Sequence, residues 1–255
     1  MDVKAGCCGF PINRRKYYAA FRVVEVQQTF YQPPLAQTGA RWRADAPPDF
    51  EFTVKAWQLI THDPSSPTYR RLRQPIPPAW LDRYGSFRPT EEVRAAWATT
   101  AEVARALGAR TVVFQCPPRF TPTEEHVTWL RQFFAGVPRD GFLLAWEPRG
   151  EWPRGLVAGL CMELDLVHVV DPLREDTLSK GMRYFRLHGL TGYRYLHTEE
   201  DLKGIAQHLA PDAPNYVLFN NLFMGEDAKR FQALLQQRDG RPQPAAAQGG
   251  SRDDP

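Results

Sequence analysis

The chain has 255 residues, 43% of them hydrophobic, which suits one large domain with a sizeable core. It holds no run of about 18 apolar residues, and Met1-Asp2-Val3-Lys4 lacks the basic and apolar zones of a signal peptide. We therefore expect no membrane span and predict a cytoplasmic location. The 32 basic and 29 acidic residues give a formal charge of +3, which allows a nucleic-acid partner without favouring one.

Short β-rich runs alternate with amphipathic helical runs along the chain. This alternation is typical of βα units and a parallel sheet. Most of the runs are nearly continuous apolar stretches, as expected for strands covered on both faces. The predicted strands are Val3–Cys8, Val23–Gln27, Phe50–Lys55, Thr111–Cys116, Phe142–Trp146, Leu166–Val170, Arg183–His188 and Tyr216–Asn220. Eight such strands predict a closed (β/α)8 barrel of the TIM type, in a single domain over residues 1–237.

Helix start signals lie in the intervals between the predicted strands. Thr90 is placed to cap a helix, and Thr198–Asp201 begins another. Thr121–Glu124 has the pattern of a capping box with Pro122 at the first helical position. The sixth helix is predicted to be little more than a turn near residues 176–180.

Two segments interrupt the alternation. Residues 62–89 form a long, proline-rich connection after the third strand. A loop of this length in a compact domain is usually functional or disordered, and we expect it to cover part of a binding pocket. Residues 238–255 are rich in Pro, Ala, Gly and Gln and are predicted to be a disordered tail.

Polar side chains stand at or just beyond the ends of the predicted strands. The carboxyl ends of barrel strands meet at one mouth, where enzymes of this fold place their active sites. The predicted site residues are Glu25, Gln27, Tyr31, Lys55, His62, Gln115, Glu147, Arg149, Asp171, Arg186, His188, Tyr195, Asn220 and Asn221. A charge inside an apolar strand is costly unless it is paired, so a structural ion-pair network is the alternative interpretation of the charged members.

Several of these residues lie in motifs that resemble one protein family. Val24–Tyr31 resembles the "VEVNSTFY" signature of the domain of unknown function 72 family, also called YecE-like. The other matching segments are Phe52–Lys55, Ile60–His62, Phe114–Pro118, Arg186–Gly189 and Phe219–Asn221. The resemblance covers roughly residues 3 to 236 and implies a (β/α)8 barrel. It implies no reaction, because the family's activity is not established.

Three segments depart from the family pattern. Gln27 stands where the family has Asn, and Gly6–Phe10 stands for "GTSGW". The "E-x-R-H-x-x-W" element is Glu147–Trp152 here, one residue shorter and without its histidine. The residues therefore do not support a mechanism that needs a histidine after Arg149.

The favoured hypothesis is acid–base catalysis on a small anionic molecule, with no cofactor. Lys55, Arg149 and Arg186 would hold a phosphate or carboxylate. Proton transfer would fall to four side chains whose pKa values are pushed apart by crowding and by neighbouring cations, Glu25, Glu147, Asp171 and His188. The other predicted site residues would contact the substrate.

A divalent-metal site is the second hypothesis. Its ligands would come from Glu25, His62, Glu147, Asp171 and His188, and it could hydrolyse a phosphodiester or isomerise a sugar. The four cysteines do not have the paired spacing of a structural zinc site and are predicted to be buried free thiols.

A nucleic-acid-binding module is the third hypothesis. The basic-aromatic cluster Tyr69–Arg73, with Trp80, Tyr84 and Phe87, could pair with phosphates and stack on bases. Outside these motifs, His126 and His197 are expected on the surface beside helices. The oligomeric state is left open.

Overall fold

The computed structural model describes residues 1–238, and its eight strands form a closed parallel barrel in chain order. The strands are β1 (Val3–Cys8), β2 (Val23–Val26), β3 (Glu51–Lys55), β4 (Thr111–Gln115), β5 (Leu143–Glu147), β6 (Leu166–Val170), β7 (Arg183–Leu187) and β8 (Asn215–Phe219). Every predicted strand is present, and its ends agree with the prediction to within one residue. The predicted (β/α)8 barrel is confirmed.

Helices follow most strands and cover the outside of the barrel. They are α1 (Arg14–Ala20), α2 (Gln28–Tyr31), α3 (Ala36–Asp45), α4 (Gln58–Thr61), α5 (Glu91–Ala106), α6 (Glu124–Gly136), α7 (Arg154–Glu163), α8 (Glu199–Gln207) and α9 (Met224–Arg238). Arg238, predicted to begin the tail, is instead the last residue of α9. The rest of the predicted disordered tail, residues 239–255, lies outside the described residues.

Capping side chains fix several helix starts. The Thr90 hydroxyl accepts a hydrogen bond from the Val93 N–H, and Thr198 and Asp201 form a reciprocal capping box. The prediction for α6 was wrong by two residues, because Thr123 rather than Thr121 accepts the first-turn N–H and Pro122 lies before the cap.

No helix joins β6 to β7 within residues 171–182, as the turn prediction expected. The polar loop between these strands is instead held against β6 by side chains. The Thr177 hydroxyl donates to the His168 carbonyl at 3.1 Å, and the His168 N–H donates to the Ser179 hydroxyl at 2.6 Å. This arrangement leaves the carboxyl ends of β6 and β7 uncovered by a helix.

The barrel interior is stacked in three layers with different chemistry. At the amino-terminal end, Lys4 pairs with Glu51 at 3.4 Å. The middle layer is mostly apolar and consists of Cys8, Val23, Val113, Ala145, Val169, Tyr184 and Leu218. The layer at the carboxyl ends carries the charged side chains of Glu25, Lys55, Glu147 and Arg186. The apolar middle layer therefore closes the barrel and supports a charged platform at its mouth.

The larger apolar core lies between the barrel and its helices. Val24 and Val26 of β2, and Phe185 and Leu187 of β7, belong to this outer core, as the two-residue period of the strands predicts. Their neighbours Glu25 and Arg186 must therefore point into the barrel. All four cysteines are free and buried, which confirms the prediction for the thiols.

Candidate functional site

Arg186 is the centre of the charged layer and is fully buried. Its Nε and Nη2 donate to the two carboxylate oxygens of Glu25 at 3.1 and 2.9 Å, and its Nη1 donates to Glu147 and, at 2.8 Å, to Gln115. Such paired geometry is the strongest that a guanidinium makes with a carboxylate. One cation thus joins side chains from β2, β4 and β5 to β7.

Hydroxyl groups extend this network towards the amino ends of the strands. The Tyr184 hydroxyl donates to Glu25 at 2.8 Å and is 2.7 Å from the Thr53 hydroxyl, and the Gln27 amide also donates to Glu25. Every oxygen of Glu25 is therefore engaged by donors inside the barrel. Glu25, Gln27, Gln115 and Arg186 are brought together as predicted, with Glu25 and Arg186 fully buried and the two amide side chains half-buried.

Glu147 connects the buried network to the mouth. Its second neighbour is Arg149, whose Nε donates to the carboxylate at 2.5 Å. Burial alone would raise the pKa of Glu147, but the guanidinium groups of Arg186 and Arg149 outweigh it and hold this pKa well below its usual range. Glu147 is consequently ionised at neutral pH and fixes the position of Arg149.

His188 lies against Arg149 at the end of β7. Its Nδ1 is 3.0 Å from the Arg186 carbonyl oxygen, and its Nε2 is 2.5 Å from Nη2 of Arg149. These partners assign the hydrogen to Nδ1 and make Nε2 an acceptor. Burial lowers the pKa of His188 to about 3, and the adjacent arginines act in the same direction. The imidazole is therefore neutral at physiological pH.

A cavity of about 590 Å³ opens above the ends of β5 to β8. Predicted site residues that line it are Glu147, Arg149, Asp171, His188 and Asn220. Lining residues that the sequence analysis did not single out include Arg174, Glu175, Tyr193 and the glycines at 150, 189 and 192. Arg174 and Glu175 lie within four residues of Asp171, so their proximity to the end of β6 was the available signal.

Asp171 is the carboxylate that enters the cavity from β6. Its oxygens accept hydrogen bonds from the backbone N–H groups of Leu173 at 3.1 Å and His188 at 3.4 Å. Burial raises the pKa of this carboxyl group, because the two N–H groups and Arg174 only partly offset the loss of water. Arg174 stands with Nε 3.9 Å from Asp171 and donates to the Leu190 carbonyl at 2.8 Å.

Gly189 shapes the loop that borders the cavity after β7. Its φ of +83° lies in the left-handed region, and a Cβ there would meet the Tyr195 Cβ at 2.5 Å and the Gly192 oxygen at 2.6 Å. A side chain is thus excluded both by the backbone conformation and by space. The loop can follow this path only with glycine at position 189.

We expect Gly189→Ala to lower the free energy of unfolding by more than the roughly 1–2 kcal/mol of left-handed backbone strain alone. Gly141→Ala is a matched control, because its φ is +80° and nothing lies within 4 Å of the place that a Cβ would take there. Chemical denaturation measures both. Equal losses in the two variants would show that the contact with Tyr195 is unimportant.

Lys55, His62 and Tyr31 lie on the opposite side of the mouth, near β2 and β3, and do not line the cavity. Lys55 Nζ is 3.7 Å from the centre of the Phe30 ring. His62 packs edge-on against the same ring, and burial lowers its pKa to about 3. All three residues contact the Phe30 ring, and together with it they are called the Phe30 cluster.

The segment 62–89 packs beside the Phe30 cluster and contributes no residue to the cavity, so the expectation that it covers the pocket was wrong for this cavity. The Tyr69 hydroxyl donates to the His62 carbonyl at 2.7 Å, and the Arg71 guanidinium lies over Tyr31. Two short 3₁₀ helices, Pro67–Arg71 and Pro78–Arg83, give the segment its shape. Phe87 is fully buried among core aromatic rings, so it is not available to stack on a base.

Tyr195 and Asn221 lie outside the cavity lining and make structural contacts. The Tyr195 hydroxyl donates to Asp201 of the α8 capping box at 2.6 Å. The Asn221 amide donates to Asp227 at 2.7 Å and to the Tyr195 carbonyl at 2.6 Å. His197 was expected on the surface, but it is fully buried with Nδ1 2.7 Å from Asp227.

The predicted metal ligands do not fit a divalent ion as they stand. Within residues 1–238, no group of three or more His, Cys, Asp or Glu side chains is arranged to hold a metal ion. Glu25 and Glu147 direct their oxygens at guanidinium groups, and His188 accepts from Arg149. A cation would have to displace these arginines, so we derive no chemical step through a metal.

A protein-family model matches most of this chain. The family model described as "protein of unknown function DUF72" matches residues 13–249. This chain belongs to the DUF72 family. The resemblance predicted from the strand-end motifs is confirmed. No curated protein matches the sequence of this DUF72 chain.

Solved structures share the barrel. A DUF72 family protein from Enterococcus faecalis has a TM-score of 0.69 at 17% identity, covering 95% of this chain and 97% of that chain. A DUF72 family protein from Thermotoga maritima has a TM-score of 0.68 at 21% identity, with coverages of 92% and 100%. D-allulose 3-epimerase from Methylomonas sp., in complex with D-allulose, has a TM-score of 0.57 at 14% identity, with coverages of 93% and 97%. At these identities the likeness is one of fold.

The helices of the described part of this DUF72 chain include none that is both long enough and apolar enough to cross a membrane.

Proposed function

We propose that this DUF72 chain is an enzyme that performs acid–base chemistry on a small anionic molecule in the cavity above β5 to β8. The observation that supports it most is the placement of Arg149 and Arg174 around a cavity that also receives the Asp171 carboxyl group. A volume of about 590 Å³ is in the range of small-molecule sites. Enzymes of this fold carry their chemistry at this end of the barrel.

The two arginines are suited to hold a phosphate or carboxylate. Arg149 donates to the Glu147 carboxylate, and Arg174 donates to the backbone carbonyl groups of Gly189 and Leu190. Both guanidinium groups are therefore preorganised. Arg186 was predicted to bind the anion as well. Since its donors are directed at Glu25, Glu147 and Gln115, we assign it to positioning Glu147 instead.

Asp171 is the side chain best suited to transfer a proton. Its raised pKa brings the carboxyl group closer to neutral pH, where a general acid or base is most effective. Glu175, which also lines the cavity, has its pKa raised by burial in the same way. Glu147 stays ionised between two arginines and His188 stays neutral, so we assign these two to orientation and hydrogen bonding.

The substrate is proposed to be a small molecule and not a nucleic acid. Stacking on bases needs several exposed aromatic faces, but in segment 62–89 Phe87 is buried and the Tyr69 hydroxyl donates to the His62 carbonyl, which leaves Trp80 as the exposed large ring of the cluster. D-allulose 3-epimerase has the same fold and was solved with a sugar. The two cavity arginines here favour a molecule that carries a phosphate or carboxylate.

Binding of inorganic phosphate to the full chain, measured by isothermal titration calorimetry, tests this proposal. We expect Arg149→Gln and Arg174→Gln each to weaken binding by at least about tenfold, since a charge-assisted hydrogen bond is worth about 1.5–3 kcal/mol. Arg131→Gln is the matched control, because Arg131 pairs with Glu163 on the surface, away from the cavity. Equal affinity in all four proteins, or no binding to the wild type, would contradict the proposal.

A further inference from the structure

Lys55 is a buried cation without an anionic partner. It lies at the end of β3, level with Val113 of β4 on the interior face of the barrel, and only 6% of its surface is exposed. Among residues 1–238 no carboxylate lies within 4.0 Å of its Nζ, and that atom donates to no hydrogen-bond acceptor. An ordinary lysine at such depth would be paired.

The groups that face Lys55 act on its charge in both directions. The Phe30 ring lies 3.7 Å from Nζ, where its face attracts a cation but also excludes water from that side. Glu25 and Glu147 act on Lys55 from β2 and β5, but both are already engaged by Arg186. Arg186 and Arg149 repel a positive charge on Lys55, and His62 beside Phe30 is neutral. Burial and the two arginines outweigh the groups that favour the charged form, so the pKa of Lys55 is lowered.

We propose that Lys55 is a nucleophile that forms a Schiff base with a small carbonyl compound. The inference goes beyond the proposed function, because Lys55 does not line the cavity that Arg149 and Arg174 border. Desolvation and a neighbouring cation are the two devices by which proteins produce reactive lysines, and both are present here. The burial of the amine and the repulsion by Arg186 lower the pKa of Lys55 to about 7.

The chemistry balances with water as the leaving group. The Nζ lone pair attacks the carbonyl carbon, a C–N bond forms, and the carbonyl π electrons move to oxygen, which takes up the proton that the nitrogen loses. The nitrogen lone pair of the carbinolamine then forms the C=N bond, while the hydroxyl group takes a proton from solvent and leaves as water. The product is the iminium ion, and loss of its remaining N–H proton to solvent gives the neutral imine.

Reductive trapping tests the proposal on the full chain. The probe is glyoxylate, a small aldehyde with a carboxylate, and cyanoborohydride delivers hydride to the imine carbon to leave a carboxymethyl-lysine. Peptide mass spectrometry then compares Lys55 with Lys203, an exposed lysine that pairs with Glu199 and has a raised pKa. Lys203 serves as an internal control in the same molecule.

We expect Lys55 to be modified at pH 7 at least about ten times faster than Lys203. An amine with a pKa near 7 is about half uncharged at that pH, whereas an ordinary lysine is uncharged to about one part in 2,500. The rate at Lys55 should level off above neutral pH, while the rate at Lys203 continues to rise. Lys55→Arg and Lys55→Met should remove the fast phase, and circular dichroism checks that both variants are folded.

Modification of Lys55 no faster than Lys203, or a fast phase that persists in Lys55→Met, would overturn the proposal. The two proposals fail separately. Phosphate binding that depends on Arg149 and Arg174, together with an unreactive Lys55, would remove the Schiff base and leave the proposed function. Fast trapping at Lys55 in a protein that does not bind phosphate would remove the proposed function and leave the Schiff base.

Discussion

Replacing Arg186 with Met is expected to lower the free energy of unfolding by about 3–5 kcal/mol. The side chain is fully buried and is the shared partner of Glu25 and Glu147. Its removal leaves Glu25 without a cation and Glu147 with Arg149 alone, and the methionine cannot donate to either carboxylate. Urea denaturation at pH 7, followed by circular dichroism, measures the loss.

Two further variants make this prediction specific. Arg131→Met removes a surface arginine that pairs with Glu163, and we expect it to cost no more than about 1 kcal/mol. The triple variant Glu25→Gln, Glu147→Gln and Arg186→Met removes all three charges, so it should recover much of the stability lost in Arg186→Met. A cost for Arg186→Met no greater than that for Arg131→Met would show that the buried network does not stabilise the barrel.

The protein is expected to lose stability as the pH falls from about 6.5 towards 4. Burial lowers the pKa values of His62 and His188 to about 3 and that of His168 to about 4. In the unfolded chain these groups take up protons near pH 6.5, so below that pH the unfolded state binds more protons than the folded state. Each histidine that stays neutral in the folded protein can cost up to about 3 kcal/mol between pH 6.5 and pH 4.

Two carboxyl groups change the stability at acid pH in opposite directions. Arg186 and Arg149 hold the pKa of Glu147 low in the folded protein. The stability that this contributes is lost as the pH falls below about 4.3, the pKa of a glutamate in the unfolded chain. Asp171, whose pKa is raised by burial, favours the folded state as the pH falls. The three histidines begin to titrate at higher pH, so the first loss of stability is assigned to them.

Unfolding free energies measured by urea denaturation between pH 7.5 and pH 4 test this expectation. His62→Phe should flatten the curve, because the phenyl ring replaces a neutral imidazole that packs against Phe30. His208→Gln, at a partly exposed residue on the surface, is the matched control and should follow the wild-type curve. A wild-type curve that stays flat to pH 4.5 would contradict the assignment to buried histidines.

The barrel could be predicted from the sequence because its signals are local and repeated. Each strand is a short apolar run between helical segments, and the alternation of Val24, Glu25 and Val26 already indicates which side chains point inward. The start of α6 was missed because Thr121 and Thr123 both precede acidic residues, and only the backbone path decides which of them caps the helix.

The division of the site could not be predicted in the same way. Strand-end position shows that Glu25, Lys55, Glu147 and Arg186 share one mouth, but not which of them pair with one another. That choice depends on side-chain reach across the barrel, as in the contact of Arg186 with Glu25. Arg174 was missed because it belongs to a loop without a helix, and its orientation is set by the carbonyl group of Leu190.

Closure of the barrel through β1 and β8 constrains how the chain is made. Val3 pairs with Asn215 and Cys7 with Phe219. During synthesis, β1 therefore cannot form this pairing until β8 has been made. Until then both outer strands present unpaired N–H and C=O groups, which favour association with other chains. Nascent chains halted before Asn215 should therefore be the species that most needs protection from aggregation.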